Sequence, residues 1–312
     1  MMKNIMSFIL QSIVPVDYIL KNYSPILLYH SIGKYNNFIT DHIDHIDLAV
    51  LDKHLSCIKK RWKVVPVDEY ILEKNRDKLL CITIDDGYKN VIDEALPVFE
   101  SHDLPITIFI NSSTLMGGGI FWRDKIRLIL DMGLVDKFLC FSNILSGIKC
   151  GEFYTQTKSP LINTKSLDEE LSEFFVAEKI DLNDHVKLCF DSDGYLIKHP
   201  LITYGNHTEN HYVMSSLSPE QQHIEILNCH NFLQNKDINI SKVFSVPFGG
   251  RQSFNDSTVD IALDLGYEEI LLTHDILNKK EAQDFPLYRV MPRQDDLIQA
   301  IKKSYLRSIR WR

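Results

Sequence analysis

Residues 78–84, Lys-Leu-Leu-Cys-Ile-Thr-Ile, make an apolar, β-rich run that stops on Asp85-Asp86-Gly87. Such a run, closed by a turn signal, reads as a buried strand. Its neighbours set a rhythm around it. Pro25 to His30, with Leu27, Leu28 and Tyr29, is a second short strand. Leu48, Leu51, Leu55 and Ile58 recur at helical spacing, so Leu48–Lys60 predicts a helix that leads to a strand over Trp62–Pro66. Val91–His102 follows as a helix despite Pro97, and Pro105–Asn111 as a strand. Strand, helix, strand at this spacing is the signature of an α/β parallel sheet or barrel. The rhythm resumes late. Leu201–Tyr204, Ser241–Val246 and Glu269–Thr273 read as strands, and a helix opened by Ser218-Pro219-Glu220-Gln221 carries an N-cap, an early proline and a capping-box glutamine. Asp256–Leu265 is a helix stopped by Gly266.

With 312 residues, 45% of them hydrophobic, the chain can bury a large core, and its length allows one α/β barrel or two smaller domains. The segment 113–199 breaks the rhythm. Asp124–Leu130 and Leu167–Glu178 look helical, whereas Gly117–Gly119 and Gly147–Asn163 look like loop. Neither half of the chain supplies a full set of elements, so the expectation is a single domain over 1–312 with an insertion at about 113–199. The net charge of −8 argues against a nucleic-acid partner held by phosphate neutralisation. Six scattered cysteines, with no Cys-x-x-Cys, read as reduced thiols and point to a cytoplasmic compartment. The apolar stretch Ile5–Val14 is too short to span a bilayer, and no small-residue cleavage pattern follows it. Ile301–Arg312 is basic with interleaved aromatics. It reads either as a solvated terminal helix or as a weak contact with an anionic membrane surface.

Chemistry-bearing residues fall where strands end. Asp85 and Asp86 close the buried strand; carboxylates there are costly unless solvated, paired or bound to a cation. A turn plus helix cap explains Asp-Asp-Gly equally well. His207 and His211 directly follow the strand at Leu201–Tyr204. Four residues apart, they share one face if the segment coils, and both can aim a nitrogen at one ion. A rival cluster, Asp41-His42-Ile43-Asp44-His45, has no preceding strand and reads as a solvated loop. No Gly-x-Ser-x-Gly elbow or phosphate-cradling glycine loop occurs.

Thr83-Ile84-Asp85-Asp86-Gly87-Tyr88, His207-Thr208-Glu209-Asn210-His211 and Val246-Pro247-Phe248-Gly249 resemble, in order, the first three motifs of the polysaccharide deacetylase family. The resemblance implies a distorted seven-stranded (β/α) barrel and a divalent metal, most often zinc, held by Asp86, His207 and His211. It implies Asp85 as catalytic base and the Phe248 backbone N–H as an oxyanion donor. Leu27-Leu28-Tyr29-His30 is similar to members of the poly-N-acetylglucosamine deacetylase type, in which an N-terminal histidine serves as general acid. Leu271-Leu272-Thr273-His274 spells the same pattern in the late position that other members use. The family's arginine partner for the catalytic Asp is replaced near Ser245 and Val246. Arg289, or less well Arg251, is the stand-in. The fourth motif, an Asp with a Trp that walls the acetate pocket, is not found by pattern. The implied partner is an N-acetylated sugar or polysaccharide. Two other functions stay open at this stage: a non-catalytic glycan-binding barrel, and a cyclic amide or imide hydrolase.

Overall fold

The computed structural model describes residues 14–34, 45–117, 119–183, 185–186, 196–281, 285–294 and 296–310. Its strands are β1 (Tyr23–Ser24), β2 (Ile26–Tyr29), β3 (Lys63–Val64), β4 (Leu79–Ile84), β5 (Ile106–Ile110), β6 (Ile202–Asn206), β7 (Ile240–Ser245), β8 (Glu269–Thr273), β9 (Asn278–Lys279) and β10 (Leu287–Arg289). Seven of them form a parallel sheet in the order β10-β8-β7-β6-β5-β4-β2, and β3 pairs with the start of β4. The two ends of that sheet meet. Leu27 bridges Val290 in parallel, Leu28 N–H donates to the Val290 carbonyl at 2.8 Å, and Val290 N–H donates to the Ile26 carbonyl at 2.8 Å. The result is a distorted seven-stranded (β/α) barrel: the strand–helix rhythm called for a parallel sheet or barrel, and the family resemblance implied this form of it.

The short strands β2, β4 and β5 are buried at every position, which explains why their sequences read as apolar runs without alternation. Inside the barrel, Cys81, Phe109, Val243, Leu271 and Leu287 pack together. Because side chains on a strand repeat every second residue, the same inner face continues to Thr83 and Asp85, Asn111, Ser245, Thr273 and Arg289. The barrel interior is therefore apolar at the N-terminal ends of the strands and polar at their C-terminal ends. Gly205 belongs to this packing: a Cβ there would lie 2.4 Å from the Phe109 ring.

Outside, α1 (Leu48–Lys59) and α2 (Leu96–His102) cover one flank through Leu51, Leu55, Ile58 and Phe99. Ahead of α2, residues Val91–Ala95 form a π-helical turn. Pro97 has no N–H to give to a residue four back, so the chain changes its hydrogen-bond step just before it. The insertion supplies α3 (Trp122–Asp131) and α4 (Thr164–Ala177). Their buried residues share one core with Phe244, Ile270 and Leu272 of the barrel strands. After β6, α5 (Pro219–Gln234) has the expected capping box: Gln221 N–H donates to Ser218 Oγ at 3.3 Å, and Ser218 N–H to Gln221 Oε1 at 3.0 Å. The helix α6 (Asp256–Asp264) follows, and α7 (Leu297–Arg310) ends the described chain.

Three local expectations need correction. Part of 147–163 is ordered as a turn at Cys150–Glu152 and a short helix at Phe153–Gln156, anchored by the fully buried Phe153. His45 is buried and not solvated, with Nδ1 at 2.8 Å from Ser31 Oγ and Nε2 at 3.1 Å from the Gly33 carbonyl; residues 41–44 lie outside the described residues. The C-terminal helix is docked: α7 buries Leu297, Ile301 and Tyr305, and the Tyr305 ring meets Tyr18 and Tyr23 edge-on at 6.3 and 5.5 Å. Residues 1–13 and 311–312 lie outside the described residues. Among the described residues no helix is long and apolar enough to cross a membrane, and Cys57, Cys81, Cys140, Cys150 and Cys229 are unbridged.

Candidate active site

Strand register brings the candidate residues to one level. Tyr29 pairs with Ile84, so His30 and Asp85 leave adjacent strands side by side, with Asp85 N–H donating to the Tyr29 carbonyl at 2.9 Å. Ile110 pairs with Asn206, and His207 N–H donates to the Ile110 carbonyl at 3.0 Å. Arg289 pairs with Thr273. All of these sit at the carboxyl ends of parallel strands, where a (β/α) barrel keeps its chemistry.

Asp86, His207 and His211 each turn one ligand atom inward, all within 4.8 Å of one another and all buried. His211 Nε2 lies 3.4 Å and His207 Nε2 3.6 Å from Asp86 Oδ1. Ligands about 2.0–2.1 Å from a tetrahedral ion stand roughly 3.4 Å apart, so this spacing fits one divalent cation. Asp86 Oδ1 is buried without a hydrogen-bond partner. Burial, then the adjacent Asp85, push the Asp86 carboxyl up to about 8, the behaviour of a carboxylate built to face a cation. Burial also lowers both imidazoles, His211 furthest because His207 and Arg127 add to it, which leaves neutral rings able to ligate. His207 Nδ1 donates to the Ser245 carbonyl at 2.7 Å, so its Nε2 carries the free lone pair.

The histidine pair does not lie on a helical turn as its spacing suggested. Residues 207–211 are an irregular loop in which Thr208 and His211 adopt φ of 69° and 60°. Asp86 and Phe248 are left-handed as well, at 74° and 63°. Backbone in this region is held only when its surroundings over-determine it, and here they do. Asn111 Nδ2 donates to the His207 carbonyl and, at 3.1 Å, to that of Thr208. Glu225, buried on α5, accepts from Asn210 N–H at 2.8 Å and from Asn210 Nδ2 at 2.7 Å. From the insertion, Trp122 Nε1 donates to the His211 carbonyl at 2.9 Å.

Asp85 is clamped. Arg289 donates from Nη1 to Oδ1 and from Nη2 to Oδ2, each at 2.7 Å, and Ser245 Oγ stands 3.3 Å from Oδ2. Burial opposes the Asp85 charge, but Arg289 and then His207 outweigh it and hold the carboxyl below the ordinary range. Arg251 does not take this place; its charge acts on His274. His274 rests against Tyr288, ring to ring at 5.5 Å. The charge of His30, by contrast, acts on both Asp85 and His211, which puts that ring at the centre.

Phe248 closes one side, its ring 4.8 Å from His211 and 6.1 Å from Trp122. Gly249 follows because a Cβ there, at φ 58°, would lie 2.5 Å from the Thr273 nitrogen. Phe121 adds a second aromatic face to His211 at 5.7 Å. Sequence reasoning missed Phe121 and Trp122, and the buried Tyr88, Arg123, Asp124 and Arg127 beside them. The adjacent aromatics Phe121-Trp122 opening a helix were the available signal.

Residues 73–135, which include the Asp-Asp strand end and α3, match the polysaccharide deacetylase family model. No curated protein matches the chain. Among solved structures, a Streptococcus pyogenes deacetylase, PplD, in complex with acetate is similar at 17% identity and a TM-score of 0.52, covering 92% of this chain and 97% of its own. A de-N-acetylase from Aggregatibacter actinomycetemcomitans aligns at 15% identity and TM-score 0.50, over 85% of this chain and 93% of that one. A polysaccharide deacetylase from Bacillus cereus aligns at 13% identity and TM-score 0.52, over 89% and 67%. Likeness at these identities speaks to the fold alone, a distorted parallel barrel with flanking helices. The matched segment and the ordered motifs add a likeness to the polysaccharide deacetylase family that reaches beyond the fold over residues 73–135.

Proposed function

We propose that this chain is a metal-dependent N-deacetylase. It hydrolyses the N-acetyl group of an acetylated amino sugar, in a polysaccharide or glycan precursor, and releases acetate. The observation that carries the reading is the meeting of Asp86, His207 and His211 within 4.8 Å, beside a second carboxylate, Asp85, that Arg289 keeps ionised. Asp86, His207 and His211 would hold the ion, and two neutral imidazoles with a carboxylate suit zinc. A divalent ion held there would supply Lewis-acid activation of the water and of the acetyl oxygen.

The rest falls to the chain's own groups. Asp85 accepts the proton of the attacking water as the new C–O bond forms. Arg289 and Ser245 fix the direction of its lone pairs. The Phe248 backbone N–H donates to the oxygen that gains charge. His30, which leaves β2 beside Asp85, gives a proton to the sugar nitrogen as the C–N bond breaks. Phe121, Trp122 and Phe248 wall the space for the acetyl methyl. The acetate bound to the Streptococcus pyogenes relative is what such a pocket would release. On this reading the whole of 1–312 is one catalytic domain of the N-terminal-histidine type, with 113–199 inserted on it. It works in a reducing, cytoplasmic compartment, and the exposed basic side of its C-terminal stretch, which the docking of α7 leaves outward, gives it weak contact with an anionic membrane surface.

Acetate release from N-acetylated chitooligosaccharides, with elemental analysis of the purified protein, tests this. Asp85→Asn is expected to keep its zinc and lose roughly a hundredfold to ten-thousandfold in kcat, the usual span for a general base. Near wild-type turnover would remove Asp85 from that role. His30→Ala is expected to cost more than His274→Ala, and the reverse order would move the acid to the late position.

A further inference from the structure

The insertion brings cations to the edge of the centre that the deacetylation chemistry does not use. Arg123 on α3 is 2% exposed. Its Nη1 donates to Thr157 Oγ1 at 2.8 Å, while Nη2 is buried without a hydrogen bond. The guanidinium lies 4.4 Å from the centre of the Tyr154 ring and 5.9 Å from that of Phe248. Lys158 Nζ reaches the same two rings, at 4.5 and 5.9 Å, from an exposed stretch of chain. Phe248 also touches His211, so both cations and a metal ligand flank one aromatic ring.

The charge balance is uneven. Arg127 stands behind Arg123 and is held by Asp124. The carboxylates acting on these three cations are Asp124 and Asp86, and the second belongs to the metal set. The three cations pull the Tyr154 phenol down to about 8, although burial works the other way. Tyr154 shares a side-chain hydrogen bond with this guanidinium, yet one buried N–H stays unsatisfied, a desolvation cost that no carboxylate among the described residues relieves, in a chain of net charge −8. An arriving anion would complete it.

We propose that Arg123, Lys158 and the Tyr154 hydroxyl form a subsite for a phosphate ester on the substrate, next to the N-acetyl group to be cleaved. The substrate is then a phosphorylated or phosphate-linked amino sugar and not a neutral polymer. A guanidinium N–H, an ammonium and a phenol converge from separate side chains, which suits the three oxygens of a phosphate better than a planar carboxylate. This deepens the deacetylase reading and rests on it.

The test compares three probes of equal length on the zinc-loaded protein: a neutral N-acetylated chitooligosaccharide, the same molecule with one phosphomonoester, and the same molecule with one carboxylate. The expected kcat/KM for the phosphorylated probe is at least about tenfold above the other two. In Lys158→Ala that ratio is expected to fall towards one, and in Lys158→Glu below it. Each variant is its own control, so losses of folding or metal cancel. A wild-type ratio near one, a ratio unchanged by Lys158→Glu, or a preference for the carboxylate would overturn the phosphate subsite. If no probe is turned over, the deacetylase reading fails by itself. Calorimetry of the phosphorylated probe on the zinc-loaded protein then decides the subsite separately. Weakening of about tenfold in Lys158→Ala supports it, and equal binding rejects it.

Discussion

The barrel rim and the insertion both reach the same centre, but they reach it by different physics. On the rim, position follows from register. His30, Asp85, Asn111, His207, Ser245, Thr273 and Arg289 each come at or just beyond the end of a parallel strand, and hydrogen bonds between neighbouring strands set their heights. In the insertion, Phe121, Trp122 and Arg123 owe their place to packing. Phe138, Phe153, Phe174 and Phe175 form an apolar body that leans on Phe244, Ile270 and Leu272 and so carries the start of α3 to His211. One region is fixed by the backbone ladder, the other by side-chain volume. The ladder places the groups proposed to react, and the packed body shapes what surrounds them.

If that division is right, the largest functional loss comes from the rim. On the proposed reading, His207→Ala should abolish binding of a divalent metal such as zinc and reduce acetate release by roughly a thousandfold or more. It should leave the far-ultraviolet circular dichroism unchanged. Full zinc retention in this variant would break the comparison at its strongest point. The largest loss of stability should also lie on the rim. Arg289 is fully buried and Asp85 nearly so, and truncating one partner strands the other's charge. Arg289→Met should cost about 3–5 kcal/mol in urea unfolding. A loss below about 1 kcal/mol would mean that water compensates Asp85.

The same division explains what could be read from the chain alone. β4 and Asp85-Asp86 were legible because strand and chemistry lie within a few consecutive residues. The His207 and His211 pair was legible as a ligand set but not as a shape. Its backbone is left-handed at two positions, held by Asn111, Glu225 and Trp122 from distant elements, and a spacing of four carries no trace of that. Arg289 was legible as a stand-in; its pairing with Asp85 spans about two hundred residues, and no local pattern encodes it. β10 is only three residues long, too short to signal a strand. Trp122 was missed because its role is set by the tertiary packing of α3. Its neighbours spell an ordinary amphipathic helix.

The finest contrast sits on the loop 207–211 itself, which the barrel holds through Glu225 and the insertion through Trp122. Burial raises the Glu225 carboxyl to about 7, against two hydrogen bonds from Asn210 that lower it. Between the unfolded value near 4.5 and the folded value, the folded chain binds more protons than the unfolded one, so this group's contribution to stability falls as pH rises through that window. Urea unfolding at pH 5 and pH 8 should show wild type losing about 2 kcal/mol more than Glu225→Gln across the interval. An equal pH slope in both proteins would show that Glu225 stays ionised in the fold. Trp122→Phe keeps most of the volume and removes only the N–H that meets the His211 carbonyl. It should cost about 1 kcal/mol, with no change of slope between the two pH values, because no titrating group is touched. Affinity for zinc should weaken by about tenfold, since the carbonyl belongs to a residue proposed to ligate the metal. Unchanged zinc affinity would assign the whole support of the loop to the barrel and reduce the insertion to a wall of the pocket.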